Sequence, residues 1–105
     1  MTVIEEIAAE RKRQIEVEGW THAHDDQHVD RSLARAAATY TVLSTYTDAT
    51  REDALVDAMR NSGSTLFRLW PHSWAKEWWK PKTRRRDLIR AAALIVAEIE
   101  RLDRA

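Results

Sequence analysis

Residues 84–104 read RRRDLIRAAALIVAEIERLDR, and this stretch decides the fold class. Leu88, Ala91, Ala92, Ile95, Ile99 and Leu102 recur at the three-and-four spacing of a helix with one apolar face, which is expected to turn toward a core. Thr83 or Lys82 opens the element. Glu98 with Arg101 and Glu100 with Arg104 stand at helix-compatible separations and are expected to pair on its outer surface.

The same spacing runs through the remainder of the chain. Only two glycines and two prolines interrupt 105 residues rich in alanine, leucine, glutamate and arginine, a composition that favours helix throughout. A first helix is expected to start at Thr2, with Glu5 reaching back in a capping box, and to end at Gly19. Its apolar stripe reads Ile4, Ile7, Ala8 and Ile15, interrupted by the stem of Arg11. Asp30 is the expected N-cap of a second helix, with Leu33, Ala36, Ala37, Tyr40, Val42 and Leu43 on a broad apolar face; consecutive alanines there allow a neighbour to approach closely. Thr50 with Asp53 starts a short third helix carrying Leu55, Ala58 and Met59, which stops near Asn61-Ser-Gly63. No strand-like alternation and no internal repeat is visible. The expectation is one all-α domain over residues 1–105, an antiparallel bundle of about four helices.

Seventeen basic residues balance seventeen acidic ones, so nucleic acid has no general attraction to the chain and self-association meets little charge repulsion. A small core and a surplus of tryptophan point the same way, toward a homo-oligomer, with a dimer favoured. The absence of cysteine removes disulfides and thiolate metal sites. The longest apolar run, Ala91 to Ala97, is too short to cross a bilayer, and the acidic start is wrong for a signal peptide, so a cytoplasmic, membrane-free protein is expected. Nucleophile triads, phosphate-binding glycine loops and zinc-module spacings are likewise missing.

Two stretches carry unusual chemistry. The first, GWTHAHDDQHVD over residues 19–30, concentrates histidine and aspartate. His24 and His28 with Asp25 or Asp26 have the donor types for zinc, nickel or iron. The segment lies between a helix stop and a helix cap, however, where aspartates bond nearby backbone amides, so capping and pairing are expected and no bound metal. Trp20 reads either as a hydrophobic plug or as a stacking surface. In the second stretch, Trp70, Trp74, Trp78 and Trp79 put four of the five tryptophans within ten residues, and Lys80, Lys82, Arg84, Arg85 and Arg86 follow immediately. Three arginines at a helix N-terminus face the unfavourable end of its dipole and require an anion. Internal carboxylates (Asp25, Asp26, Asp30, Asp87) or an external phosphate would serve. The two stretches are expected side by side, with the arginines facing the loop aspartates.

The segments ERKRQIEVEGW, HDDQH, AAATY, WWKP and RRRDLIRAAALIVAEIERLDR resemble a group of small helical proteins of phages and prophages. The opening and closing segments are also similar to MazG-like all-α nucleotide pyrophosphohydrolases. That resemblance implies helical oligomers hydrolysing nucleoside triphosphates with magnesium, through an ExxE pair and an ExxD pair on facing helices. Here Glu52, Asp53 and Asp57 do not match the first pair, whereas Glu100 and Asp103 form an ExxD near the end of the sequence.

Three functions follow as expectations. The favoured one is a non-catalytic, phage-type accessory protein, with an anti-defence sequestration role, that binds a nucleotide-like phosphorylated molecule and needs no cofactor. Lys80, Lys82, Arg84, Arg85 and Arg86 would hold phosphate; Trp20, Trp74 or Trp78 would stack; His24, Asp25, Asp26 and His28 would contact base or ribose. The alternatives are a magnesium-dependent pyrophosphohydrolase using Glu16, Glu18, Asp25, Asp26 and Glu98, and an inhibitor that docks on a host defence protein through its tryptophans.

Overall fold

The computed structural model describes residues 1–60 and 64–105. Among the described residues there is no strand; six helices form, α1 (Val3–Glu16), α2 (His22–Asp26), α3 (Ser32–Leu43), α4 (Asp48–Arg60), α5 (Thr65–Leu69) and α6 (Arg84–Arg104), with a 3-10 turn at Lys76–Trp78. The dimensions are 38 × 33 × 20 Å, and the smallest is about two helix diameters, so the molecule is a slab two helices thick. No helix among the described residues is long and apolar enough to cross a membrane.

Local rules place most helix starts. The Thr2 hydroxyl accepts from Glu5 N–H while Glu5 accepts from Thr2 N–H, both at 3.1 Å, closing the expected capping box. Thr83 caps α6 through Arg86 N–H. Helix α3 departs in detail: Arg31 occupies the cap position in the left-handed region, φ 66°, and Asp30, one residue earlier, accepts from Ser32 N–H. Helix α4 starts at Asp48 rather than Thr50, because Thr47 supplies the hydroxyl that accepts from Thr50 N–H. The expected stop at Asn61-Ser-Gly63 and the side chains of Ala58 and Met59 lie outside the described residues.

Helix α6 is the centre of the slab. On one side α3 runs antiparallel to it: Arg84, at the start of α6, donates to the Ser44 carbonyl that ends α3, at 2.7 Å. Ala36 and Ala37 meet Ala91, Leu94 and Ala97 in a close-packed seam, as the alanine run of α3 leads one to expect. Trp20, Leu33, Tyr40, Trp70 and Trp74 complete this core, and Leu43 and Leu66 centre a smaller one beneath α4 and α5. On the other side lies α1. Glu6 and Glu10 reach Arg85 and Arg86 in the first turn of α6, and Arg11 reaches Glu100 near its far end, so α1 does not run antiparallel to α6.

The inward faces of α1 and α6 depart from the expectation, although Arg11 and Ala91 are buried as expected and Ile7, Ile15 and Ala92 are half-buried. Val3 and Ile4 are exposed, whereas Glu10, Arg11 and Gln14 are buried. Leu88, Ile95, Ile99 and Leu102, expected in the core, are 41–57 % exposed, and the face turned inward carries Asp87, Arg90 and Glu98 among its alanines. The physical reason is charge pairing between helices: Glu10 binds Arg13 and Arg86, Arg11 binds Asp25 and Glu100, and Asp87 binds Arg51. Opposite charges meet these buried groups, which is the condition for burying them; Arg90 is the exception, donating to the Lys80 carbonyl without a carboxylate partner among the described residues. Glu98 does pair with Arg101, but on the buried side; Glu100 and Arg104 do not pair with each other, being taken by Arg11 and Asp26.

Candidate functional site

The histidine–aspartate stretch is not an irregular loop. Thr21 caps a short helix by accepting from His24 N–H, and the turn continues as Gln27 and His28 N–H donate to the His24 and Asp25 carbonyls. The helical spacing brings the two imidazoles together, with Nε2 of His24 3.2 Å from Nε2 of His28. Indole N–H is a donor only, and Trp74 Nε1 lies 3.4 Å from His28 Nδ1, so that nitrogen accepts. Neutral His28 then carries its proton on Nε2 and donates to His24 Nε2. His24 in turn donates from Nδ1 to Asp25 Oδ1 at 3.4 Å, and Asp25 Oδ2 accepts from Arg11 at 2.6 Å. The result is a directional chain, Trp74 to His28 to His24 to Asp25, closed by a buried guanidinium.

This chain sets the chemistry of the stretch. With Nδ1 accepting from the indole, Nε2 is the nitrogen of His28 that holds the proton in this chain. Burial, then the neighbouring His24, keep His28 below its ordinary value, favouring the neutral form that the chain requires. Among the described residues no group of three or more His, Cys, Asp or Glu could hold a metal ion. The acids proposed for a magnesium-dependent reaction are scattered, each against its own cation: Glu16 with Lys12, Glu18 with Arg13 and Lys80, Asp25 with Arg11, Asp26 with Arg104, Glu98 with Arg101.

The tryptophans do assemble, though not on one regular helix. Helix α5 ends at Leu69, and Trp70 to Trp78 follow turns, yet Trp70–Trp74 and Trp74–Trp78 make successive edge contacts with ring centroids 5.6 and 5.5 Å apart. Trp20 packs on Trp74 and Trp78 on His24. The two odd stretches are therefore neighbours, joined also by Ser73 to Asp30 and Trp74 to His28.

The arginines go elsewhere. Arg85 forks onto Glu6 with both contacts at 2.7 Å, Arg86 binds Glu10 and Arg84 caps α3, so carboxylates of α1 and a carbonyl of α3 stand where the loop aspartates were expected. Asp26 is held by Arg104, whose hydrogen bond lowers its pKa, and Asp30 by Ser32 and Ser73. Lys82 is exposed and gives its backbone N–H to Asp87.

Where the aromatic cluster meets α1 and α6 there is a cleft that sequence reasoning did not find. Trp20, Trp78 and Tyr40 form its walls, with Lys80, Arg13 and Glu18 also lining it, and Gln14 and Arg90 lie on its inner surface. Its open space is about 240 Å³ including solvent at the mouth, and its interior admits about one water. Two of the lining residues each carry a buried polar atom that has no partner among the described residues: Gln14 Oε1, an acceptor, and Arg90 Nε, a donor. Burial opposes ionisation of Glu18, but hydrogen bonds from Arg13 and Lys80 outweigh it and hold the carboxyl below its usual value. Neither Gln14 nor Arg90 carries a local motif. Both became visible only once α1 and α6 were placed face to face. No protein-family model, no curated protein and no solved structure matches this chain.

Proposed function

We propose that the chain is a binding protein for a nucleotide-like molecule, whose base enters the cleft between Trp20, Trp78 and Tyr40. The observation that carries this reading is the pair of unpartnered buried groups, Gln14 Oε1 and Arg90 Nε, on one aromatic-walled surface. Leaving a buried polar group unpaired costs about 1–3 kcal/mol, so an acceptor and a donor there favour a ligand with the complementary edge. A nucleobase offers an amino donor beside a ring acceptor, and its faces suit indole walls. The interior admits only about one water, so Trp78, at 37 % exposure on its 3-10 turn, would have to move aside for the base. Lys80, which lines the cleft, and the exposed Lys82 two residues on would supply the charge for phosphate; Arg84, Arg85 and Arg86 serve the fold instead. Sequestration without chemistry, in the accessory role implied by the phage-type resemblance, fits a site whose carboxylates are all paired.

The test is a thermal-shift and calorimetric screen of nucleosides and nucleotides, with and without magnesium. Binding without turnover is expected, lost in Gln14→Leu and weakened for nucleotides, but not nucleosides, in Lys80→Ala. Gln14→Leu removes an unsatisfied acceptor and is expected to leave the fold intact. Silence across the screen, or unchanged binding by Gln14→Leu, refutes the proposal and leaves a single bridging water in the cleft. Turnover only with magnesium would instead favour the pyrophosphohydrolase reading.

A further inference from the structure

The exposed face of α6 has a pattern of its own. Leu88, Ala92, Ile95, Ile99 and Leu102 are spaced 4-3-4-3, the heptad seam of a two-helix coiled coil. At about 100° per residue all five fall within about 40° of Leu88, on the side opposite the buried Ala97. Ile95, Ile99 and Leu102 are 47, 53 and 57 % exposed, and Ala92, one turn before Ile95, is small enough to let a second backbone come close. A helix that turns its heptad seam to solvent, while burying charges on its other side, lacks the partner for which that seam is built.

We propose that this seam is the interface of a homodimer in which two copies of α6 pack antiparallel about a two-fold axis through Ile95. Charge selects both the occupant and the direction. Arg85 lies at the N-terminal end of the stripe; its side chain is 64 % exposed and spends two of its five donors on Glu6. Asp103 lies at the C-terminal end, exposed and without an ion pair among the described residues. Antiparallel pairing about Ile95 sets Leu88 against Leu102 and Arg85 beside Asp103 of the second copy, and opposes the helix dipoles. Parallel pairing sets arginine against arginine and aspartate against aspartate. A second copy therefore supplies both the apolar face and the charges, once at each end.

The chain has no cysteine, which makes the geometry directly readable. Sedimentation across a concentration series is expected to give twice the 12.2 kDa chain mass. Ile95→Asp places two carboxylates on the axis and is expected to raise the dimer Kd at least about 30-fold, the loss of a central hot spot, with the helical signal unchanged. Ile95→Cys, which reads the same contact without a charge, is expected to form an intermolecular disulfide on mild oxidation. Leu88→Cys and Leu102→Cys are expected to cross-link when mixed but not separately. A wild-type monomer at every concentration, an undiminished Ile95→Asp dimer, or Leu102→Cys joining to itself as readily as Ile95→Cys overturns the proposal; the first of these would leave the seam to a different protein or a lipid surface.

Discussion

Asp25→Ala tests the buried chain of hydrogen bonds at its strongest link. Asp25 is fully buried, 2.6 Å from an Arg11 guanidinium whose side chain is itself only 8 % exposed. Removing one partner of such a pair typically costs about 3–5 kcal/mol, because the remaining charge stays in the interior. Arg11 keeps Glu100 at 3.2 Å and the Trp20 carbonyl at 3.3 Å, which places the expected loss at the lower end, about 3 kcal/mol. For a domain of this size that corresponds to a fall in Tm of about 12–24 °C, followed by far-UV circular dichroism at neutral pH. Arg11→Met alone is expected to be comparably harmful. The double variant, which removes both charges together, is expected to cost less than the sum of the two by at least about 1.5 kcal/mol. A fall of under about 5 °C for Asp25→Ala, or strict additivity in the cycle, would refute the reasoning that this pair is a desolvated structural link.

The neutral state of His28 makes stability depend on mild acid. Its folded pKa is depressed below the ordinary 6.5, so the unfolded chain takes up the proton first and stability falls as pH drops beneath that value. The loss stops once folded His28 is itself protonated, and it is separate from that of the carboxylates, whose ordinary values are 3.8 and 4.5. Trp74→Phe removes the donor facing Nδ1, and NMR titration is expected to show the His28 pKa rising; no change would mean that the indole does not fix the tautomer. Arg86→Ala is expected to lower stability by about 1.5–3 kcal/mol through the fully buried Glu10, while Arg85→Ala, facing solvent, leaves the unfolding midpoint in urea nearly unchanged. Equal effects would contradict the burial argument. Gly19→Ala, at φ 76° with nothing within 4 Å of the added Cβ, is expected to cost about 1–2 kcal/mol from backbone strain alone, a value that chemical denaturation can check.

What could be read from the sequence was what short-range chemistry controls. Thr2 with Glu5 and Thr83 announce helix starts because a cap needs only the next turn, and the alanines of α3 foretell a close neighbour. The Trp–His neighbourhood was also legible, since two stretches rich in rings find each other. The buried face of α3 was legible too, but the direction in which α1 and α6 face was not. A hydrophobic stripe identifies the core only when the opposite face is left to water, and in α1 and α6 the polar face is neutralised by partners far away in sequence, Glu10 by Arg86 and Arg11 by Glu100. The destination of the arginine run failed for the same reason. Gln14 and Arg90 are ordinary helix residues until two helices bring them to a common surface.

The ion pairs between α1 and α6 also impose an order of events on synthesis. A 14-residue helix is marginal alone, and the inward side of α1 is charged, so hydrophobic collapse does not order it. Its neutralising partners, Arg85, Arg86 and Glu100, are translated some eighty residues after it. Loop-closure entropy must be met before those contacts form. Docking of α1 on α6 is thus expected to follow the closing of the apolar seam between α3 and α6, and α1 is expected to be the helix that loosens first when salt screens its ion pairs.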